Sequence, residues 1–232
     1  MGIFRQLLYY RARLFVYPGA FFPNDNNNDD SGLRIDSQTV LDHVLADPTR
    51  NQKPIAIFGQ SLGGAVAIDL TSRNDDKVGR NECTTSSSDN AAQIAALIVE
   101  NTFTSIPDIM KNWGLIGHFS FLCSEKWWSA TRMARMSARI PVLLLSATED
   151  TIIPPSQMER LRHIANERGR KPSKKTPLVP EEDRGQVRLE LLEKCGHNTS
   201  LDHPKYWHFV EEFVKSSLKH WDATNQSFAD SK

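Results

Sequence analysis

Gly59-Gln60-Ser61-Leu62-Gly63 limits what this chain can fold into more than any other stretch. It follows Pro54-Ile55-Ala56-Ile57-Phe58, a short and nearly unbroken apolar run of the kind expected in a strand buried on both faces. It leads into Gly63, Gly64, Ala65 and Ala67, which open a helix with little side-chain bulk, able to lie close to its neighbours. A serine on such a strand-to-helix turn holds a strained backbone and projects its hydroxyl away from the sheet. Larger residues at Gly59 and Gly63 are expected to collide with the turn. The stretch reads as a nucleophile elbow.

At 232 residues the chain can bury one sizeable core, and one domain is the default. Lys+Arg and Asp+Glu both number 28, so the formal net charge is zero and no electrostatic argument points to nucleic acid. Cys83, Cys123 and Cys195 are too few and too scattered for a disulfide framework or a zinc site, and a reducing compartment is expected. No run reaches the ~18 apolar residues of a membrane span. Residues 1–22 mix Arg5, Arg11 and Arg13 with apolar positions and show no clean cleavage site, so they do not read as a signal peptide. Gln6 stands where a myristoylation signal carries Ser or Thr. Nothing in the pattern calls for a metal or a cofactor.

Before the elbow, Leu7 to Tyr17 holds one strand-like run, and residues 23–30 form a polar loop. A helix is expected from about Ser31 or Asp36 to Ala46, with Val40, Leu41, Val44 and Leu45 as its apolar face. Further strands are expected at Ala95–Val99, Ile140–Ser146 and Val187–Leu192. Helical, aromatic-rich chain is expected between Thr104 and Arg139, then a helix from Pro155 to Arg168 with Met158, Leu161 and Ile164 on one side. The last helix is expected over Tyr206–Leu218, turning Trp207, Val210, Phe213, Val214 and Leu218 inward, with a fraying polar tail beyond Trp221. In domain terms, residues 1–30 form a divergent N-terminal segment and 31–221 one α/β domain. That domain carries polar insertions near 77–92 and 168–186, and 222–232 form the tail. Arg168, Arg170, Lys171, Lys174 and Lys175 make the second insertion half basic. An acidic patch at Glu181–Asp183 follows and favours a solvated loop over a lipid-binding one. Strands alternating with helices argue for an α/β fold with a mostly parallel sheet and helices on both faces.

A serine hydroxyl is a poor nucleophile at neutral pH and needs a base, which in turn needs an acid to orient it. Such partners belong in loops at the carboxyl ends of later strands. Asp150 lies just past the strand at Val142–Ser146, and His197 just past Val187–Leu192, beside Gly196, which allows a tight approach. The order Ser61, Asp150, His197 differs from the chymotrypsin and subtilisin orders. Glu149 is a rival acid. His203 and His208 with His197 suggest a metal cluster only superficially, because Asp202 alone supplies no convincing further ligand. His43 reads as a structural histidine, Cys195 as a small buried thiol, and the aromatic and Met residues from Trp113 to Met136 as core or as an acyl pocket. One oxyanion donor is expected to be the Leu62 N–H. The second normally follows an earlier strand, often in a His-Gly turn; here the nearest Gly-bearing turn is Pro18-Gly19-Ala20.

Residues 59–67, Val99-Glu100-Asn101-Thr102-Phe103, Asp150 with Ile153-Pro154-Pro155, Gly196-His197-Asn198 and Gly32–Ser37 together resemble the fungal bud-emergence (Bem) hydrolases and their animal α/β-hydrolase-domain relatives. The resemblance runs from about Gly32 to Ser216. It implies an α/β-hydrolase fold with Ser61 as nucleophile, Asp150 in preference to Glu149 as acid, and His197 as base. It also implies ester or thioester hydrolysis, since such relatives include protein depalmitoylases, while the superfamily also holds serine peptidases. The implied substrate is a small-molecule or lipid ester or thioester, with peripheral membrane association of a cytoplasmic protein. Against that family, residues 1–58 are few for the strands that normally precede the elbow. The sheet is therefore expected to lack N-terminal strands and the oxyanion hole its second donor, which makes a catalytically weak, membrane- or morphogenesis-associated binding protein the rival expectation.

Overall fold

The computed structural model describes residues 31–47, 53–74, 94–110, 126–170 and 178–230. The strand expected within Leu7–Tyr17, the turn at Gly19, Cys83, Cys123 and the aromatic residues Trp113, Phe119 and Phe121 lie outside them.

Four strands, β1 (Ile55–Gln60), β2 (Ile94–Glu100), β3 (Val142–Ala147) and β4 (Val187–Leu192), pair in chain order, every pair parallel. Between and around them run α1 (Ser31–Ala46), α2 (Leu62–Asn74), α3 (Ile106–Met110), α4 (Ser129–Arg135), α5 (Pro155–Glu167) and α6 (Tyr206–Asp230). Side-chain alternation in the two central strands builds a core on each face. Leu97, Val99, Val142 and Leu144 meet Leu41 and Leu45 of α1, Ile68 of α2, Met133 of α4, and Met158 and Leu161 of α5. Ala96, Ile98, Leu143 and Leu145 face Tyr206, Val210, Phe213 and Val214 of α6. The expected helices on both faces are therefore present.

Several details differ from the sequence reading. β1 is an outer strand among the described ones, so it is only half-buried and Phe58 is 38% exposed. On α1, Leu41 and Leu45 face inward with Ser37, while Val40 faces solvent. The final helix does not stop near Trp221 but continues to Asp230; no Gly or Pro lies between them to end it. Among the described residues no helix is long and apolar enough to cross a membrane.

Two buried charges tie the helices down. Asp69 of α2 pairs with Arg73 at 2.7 Å, Arg132 of α4 at 3.1 Å and Arg34 of α1 at 3.4 Å, and Arg34 also lies over the Trp127 ring. Arg168, expected in a solvated basic loop, is instead 3% exposed. It caps the end of α5 by donating to the carbonyls of Ala165, Ser137 and Ile140 at 2.8–3.0 Å. Removing the guanidinium takes the side-chain donor from the Ile140 carbonyl and leaves the Ser137 and Ala165 carbonyls with only long backbone N–H bonds at 3.4 Å, which costs more than a surface ion pair returns. Arg168→Met is expected to lower unfolding stability by about 3 kcal/mol in urea titrations with an unchanged slope. Arg170→Met, at an exposed pair with Glu167, changes it by less than about 0.5 kcal/mol. Equal effects would contradict this account.

Candidate active site

Ser61 sits between the end of β1 and the start of α2 with φ 55°, a left-handed conformation that costs a non-glycine residue about 1–2 kcal/mol. Neighbours hold it there. Its N–H donates to the Glu100 carbonyl at 2.9 Å, and its carbonyl accepts from the Gly64 N–H at 2.9 Å and the Thr102 hydroxyl at 2.7 Å. The crowding around the turn falls partly where expected. A Cβ on Gly59 would overlap the Gly63 carbonyl, but one on Gly63 meets no described atom within 4 Å. The second crowded position is Gly64, where a Cβ would lie 2.6 Å from that of Thr102. The first turn of α2 directs Gly64 toward the chain leaving β2 and directs Gly63 away from it.

Asp150 follows β3 and His197 follows β4, and both reach the serine. His197 Nε2 lies 3.0 Å from Ser61 Oγ, and His197 Nδ1 lies 2.7 Å from Asp150 Oδ2. The other Asp150 oxygen accepts from the N–H groups of Ile152 and Ile153 at 2.9 and 2.8 Å. A carboxylate can only accept, so Nδ1 carries the imidazole proton and Nε2 is left to accept from the serine hydroxyl. Asp150 is buried while Glu149 is exposed, its backbone N–H spent on the Cys195 carbonyl. His43 and His208 are exposed on α1 and α6, and His203 stacks on Phe209. Cys195 is buried. Its thiol is pushed up by burial and then by Asp202, Glu149 and Glu100, which keeps it protonated and a poor nucleophile. Gly196 is not required by space, since an added Cβ would make only ordinary contacts. Instead the turn closes through the Gly196 N–H donating to the Thr199 hydroxyl at 2.8 Å. Leu62 opens α2, so its N–H has no acceptor within the helix. Gly19 and Ala20 of the nearest Gly-bearing turn lie outside the described residues.

Two amides go unnoticed in the sequence. Gln60 Nε2 and Asn101 Nδ2 both donate to the His197 carbonyl, at 3.1 and 3.0 Å. Asn101 also donates to Ser200 Oγ at 2.9 Å and accepts from the Ala147 N–H at 2.8 Å, so one side chain links the ends of β2, β3 and the loop after β4. It too is left-handed, with φ 44°, which Asn tolerates better than most residues. The available signal was positional: Gln60 is inside the elbow, and Asn101 lies in the Val99–Phe103 run.

No family model matches the chain. The Schizosaccharomyces pombe protein bem46 is 30% identical over 214 residues, covering 91% of this chain and 60% of its own length. A Saccharomyces cerevisiae protein described as an uncharacterised membrane protein is 26% identical, covering 89% of this chain and 63% of its own length. Among solved structures, a Vibrio vulnificus α/β-hydrolase superposes with a TM-score of 0.55 at 16% identity, covering 81% of this chain and 57% of that one. A Pyrococcus furiosus esterase gives 0.52 at 16% identity over 84% and 65%. The chain has the α/β-hydrolase fold and resembles the bud-emergence proteins. It spans less than two thirds of the length of these two curated relatives.

The α/β-hydrolase turn makes its own prediction. Gly59→Ala and Gly64→Ala are each expected to destabilise the fold by about 3 kcal/mol or more, or to prevent folding, because backbone or Cβ atoms are in the way. Gly63→Ala, at the start of a helix, is expected to leave the thermal midpoint unchanged or slightly raised. A Gly59→Ala variant as stable as the parent would contradict the geometry.

Proposed function

We propose that the chain is a serine hydrolase that cleaves carboxylic ester or thioester bonds through an acyl-enzyme. The observation that carries this reading is the unbroken line from Ser61 Oγ through His197 to Asp150, with bonds of 3.0 and 2.7 Å. Ser61 Oγ attacks the acyl carbonyl carbon while His197 Nε2 takes its proton. Asp150 holds the Nδ1–H and steadies the imidazolium. The oxyanion forms at the N-terminus of α2, where the Leu62 N–H and the helix dipole favour negative charge. The tetrahedral adduct collapses, and His197 returns the proton to the departing alcohol or thiol. Water, deprotonated by the same imidazole, then attacks the acyl-serine and releases the carboxylic acid with Ser61 restored.

For the substrate we favour an acyl group presented at a lipid surface, either on a protein thiol or on a lipid. The support is the Saccharomyces cerevisiae relative, itself described as a membrane protein.

A fluorophosphonate probe is expected to label Ser61, and Ser61→Ala to abolish labelling. Asp150→Asn should slow labelling by about a thousandfold or more, as removal of a triad carboxylate does elsewhere. Glu149→Gln should stay within about threefold, because Glu149 does not touch the imidazole. Labelling that survives Ser61→Ala, or that depends on Glu149 rather than Asp150, would overturn the reading.

A further inference from the structure

Glu100 is the acidic side chain near Ser61 that the mechanism above leaves unused. It ends β2 in register with Gln60 of β1, and it is 2% exposed. Its carboxylate is met by donors. The Tyr206 hydroxyl of α6 reaches Oε2 at 2.6 Å and Gln60 Nε2 reaches Oε1 at 3.1 Å. The Ser200 hydroxyl, which accepts from Asn101, also bonds to it. The titratable groups facing it are Tyr206 from α6 and His197 and Cys195 from the loop after β4; Asp150, from the loop after β3, lies on the far side of His197. Among the described residues no lysine or arginine forms an ion pair with it.

We propose that Glu100 is a positioning residue for His197. Its carboxylate fixes the Gln60 amide that holds the His197 carbonyl, and its charge balances the imidazolium that forms when Ser61 attacks. The inference rests on the serine-hydrolase reading. Three observations support it. Gln60 Nε2 donates to both Glu100 and the His197 carbonyl, so the carboxylate and the histidine backbone share one amide. The Gln60 amide would face another donor if that Glu100 oxygen carried a proton, so the ionised form suits the site. A buried carboxylate without a permanent cation is costly, and an imidazolium arising beside it offsets that cost only during the reaction.

The sign of the pH effect follows. Burial raises the Glu100 pKa above the ordinary glutamate value, and the bonds from Tyr206 and Ser200, with His197 whenever it is protonated, draw it only part of the way back. The ionised carboxylate is the form that steadies the imidazolium, so the full rate requires Glu100 to have lost its proton. Removing the Tyr206 hydroxyl, which holds the Glu100 pKa down, lets Glu100 take up its proton at higher pH.

The test is the pH profile of the second-order rate constant for fluorophosphonate labelling of the full chain. In E100Q the plateau is expected to fall by about tenfold. In Y206F the acid limb is expected to move up, with the plateau within about threefold, and in the E100Q/Y206F double variant the limb stays where E100Q alone has it. A limb that moves in Y206F only while Glu100 is present is the signature, because a merely structural role lowers the plateau and leaves the limb in place. A limb unmoved in Y206F, or moved equally in the E100Q background, overturns the proposal while leaving the Ser61 assignment standing. If E100Q does not fold, an unmoved limb in Y206F alone overturns it. Failure of the unmodified chain to label at Ser61 overturns the hydrolase reading and this inference with it.

Discussion

The carbonyl of His197 accepts two side-chain amides, one from Gln60 at the end of β1 and one from Asn101 just past β2. Much of the site's geometry depends on this grip. His197 sits on a loop, and a loop alone does not hold an imidazole within hydrogen-bond reach of both a serine and a carboxylate. Here the sheet does the holding. Parallel pairing brings Gln60 opposite Glu100, and the same register brings Asn101 to the Ala147 N–H, so the strand ends converge on one rim. Ligands bind at that rim of open α/β sheets, where strand ends give way to loops and helix N-termini.

The rim is strained and polar, and the rest of the molecule is built to tolerate that. Ser61 and Asn101 both have positive φ, each costing about 1–2 kcal/mol. Both are held by several hydrogen bonds inside a packed surround, which keeps the conformation from relaxing. Below them the sheet is apolar on both faces, with Leu97, Val99, Val142, Leu143, Leu144 and Leu145 almost wholly buried. Asp69 and Arg168 then fix the helices against the sheet from inside. A rigid frame of this kind is what allows serine, histidine and aspartate, far apart in the chain, to meet at hydrogen-bond distances of 3.0 and 2.7 Å.

The four described strands, Ser61 and His197 were legible because their signals are local, whereas Asp150 stood apart from Glu149 only through the family resemblance. An apolar run before Gly-x-Ser-x-Gly, and single polar residues just past apolar runs, need no knowledge of tertiary contacts. The supporting residues were not legible. Gln60, Glu100 and Asn101 look like ordinary polar residues at strand ends, and only the strand order shows that they share partners. Gly63 and Gly64 are equivalent on paper, and helix direction alone decides which one is crowded. Arg168 sits in a basic run whose neighbours suggest solvent, yet the backbone carbonyls of Ser137, Ile140 and Ala165 draw it inward. The half-burial of β1 depends on its place in the sheet, which no single strand records.

The central claim is that the His197 imidazole bridges Ser61 and Asp150 in the resting protein. Nuclear magnetic resonance of the imidazole N–H protons reads this directly. A strongly deshielded, slowly exchanging N–H signal is expected from His197 Nδ1, absent in His197→Gln and shifted upfield in Asp150→Asn. A His197 N–H that exchanges with water as fast as that of an exposed histidine, and is indifferent to Asp150→Asn, would contradict the account.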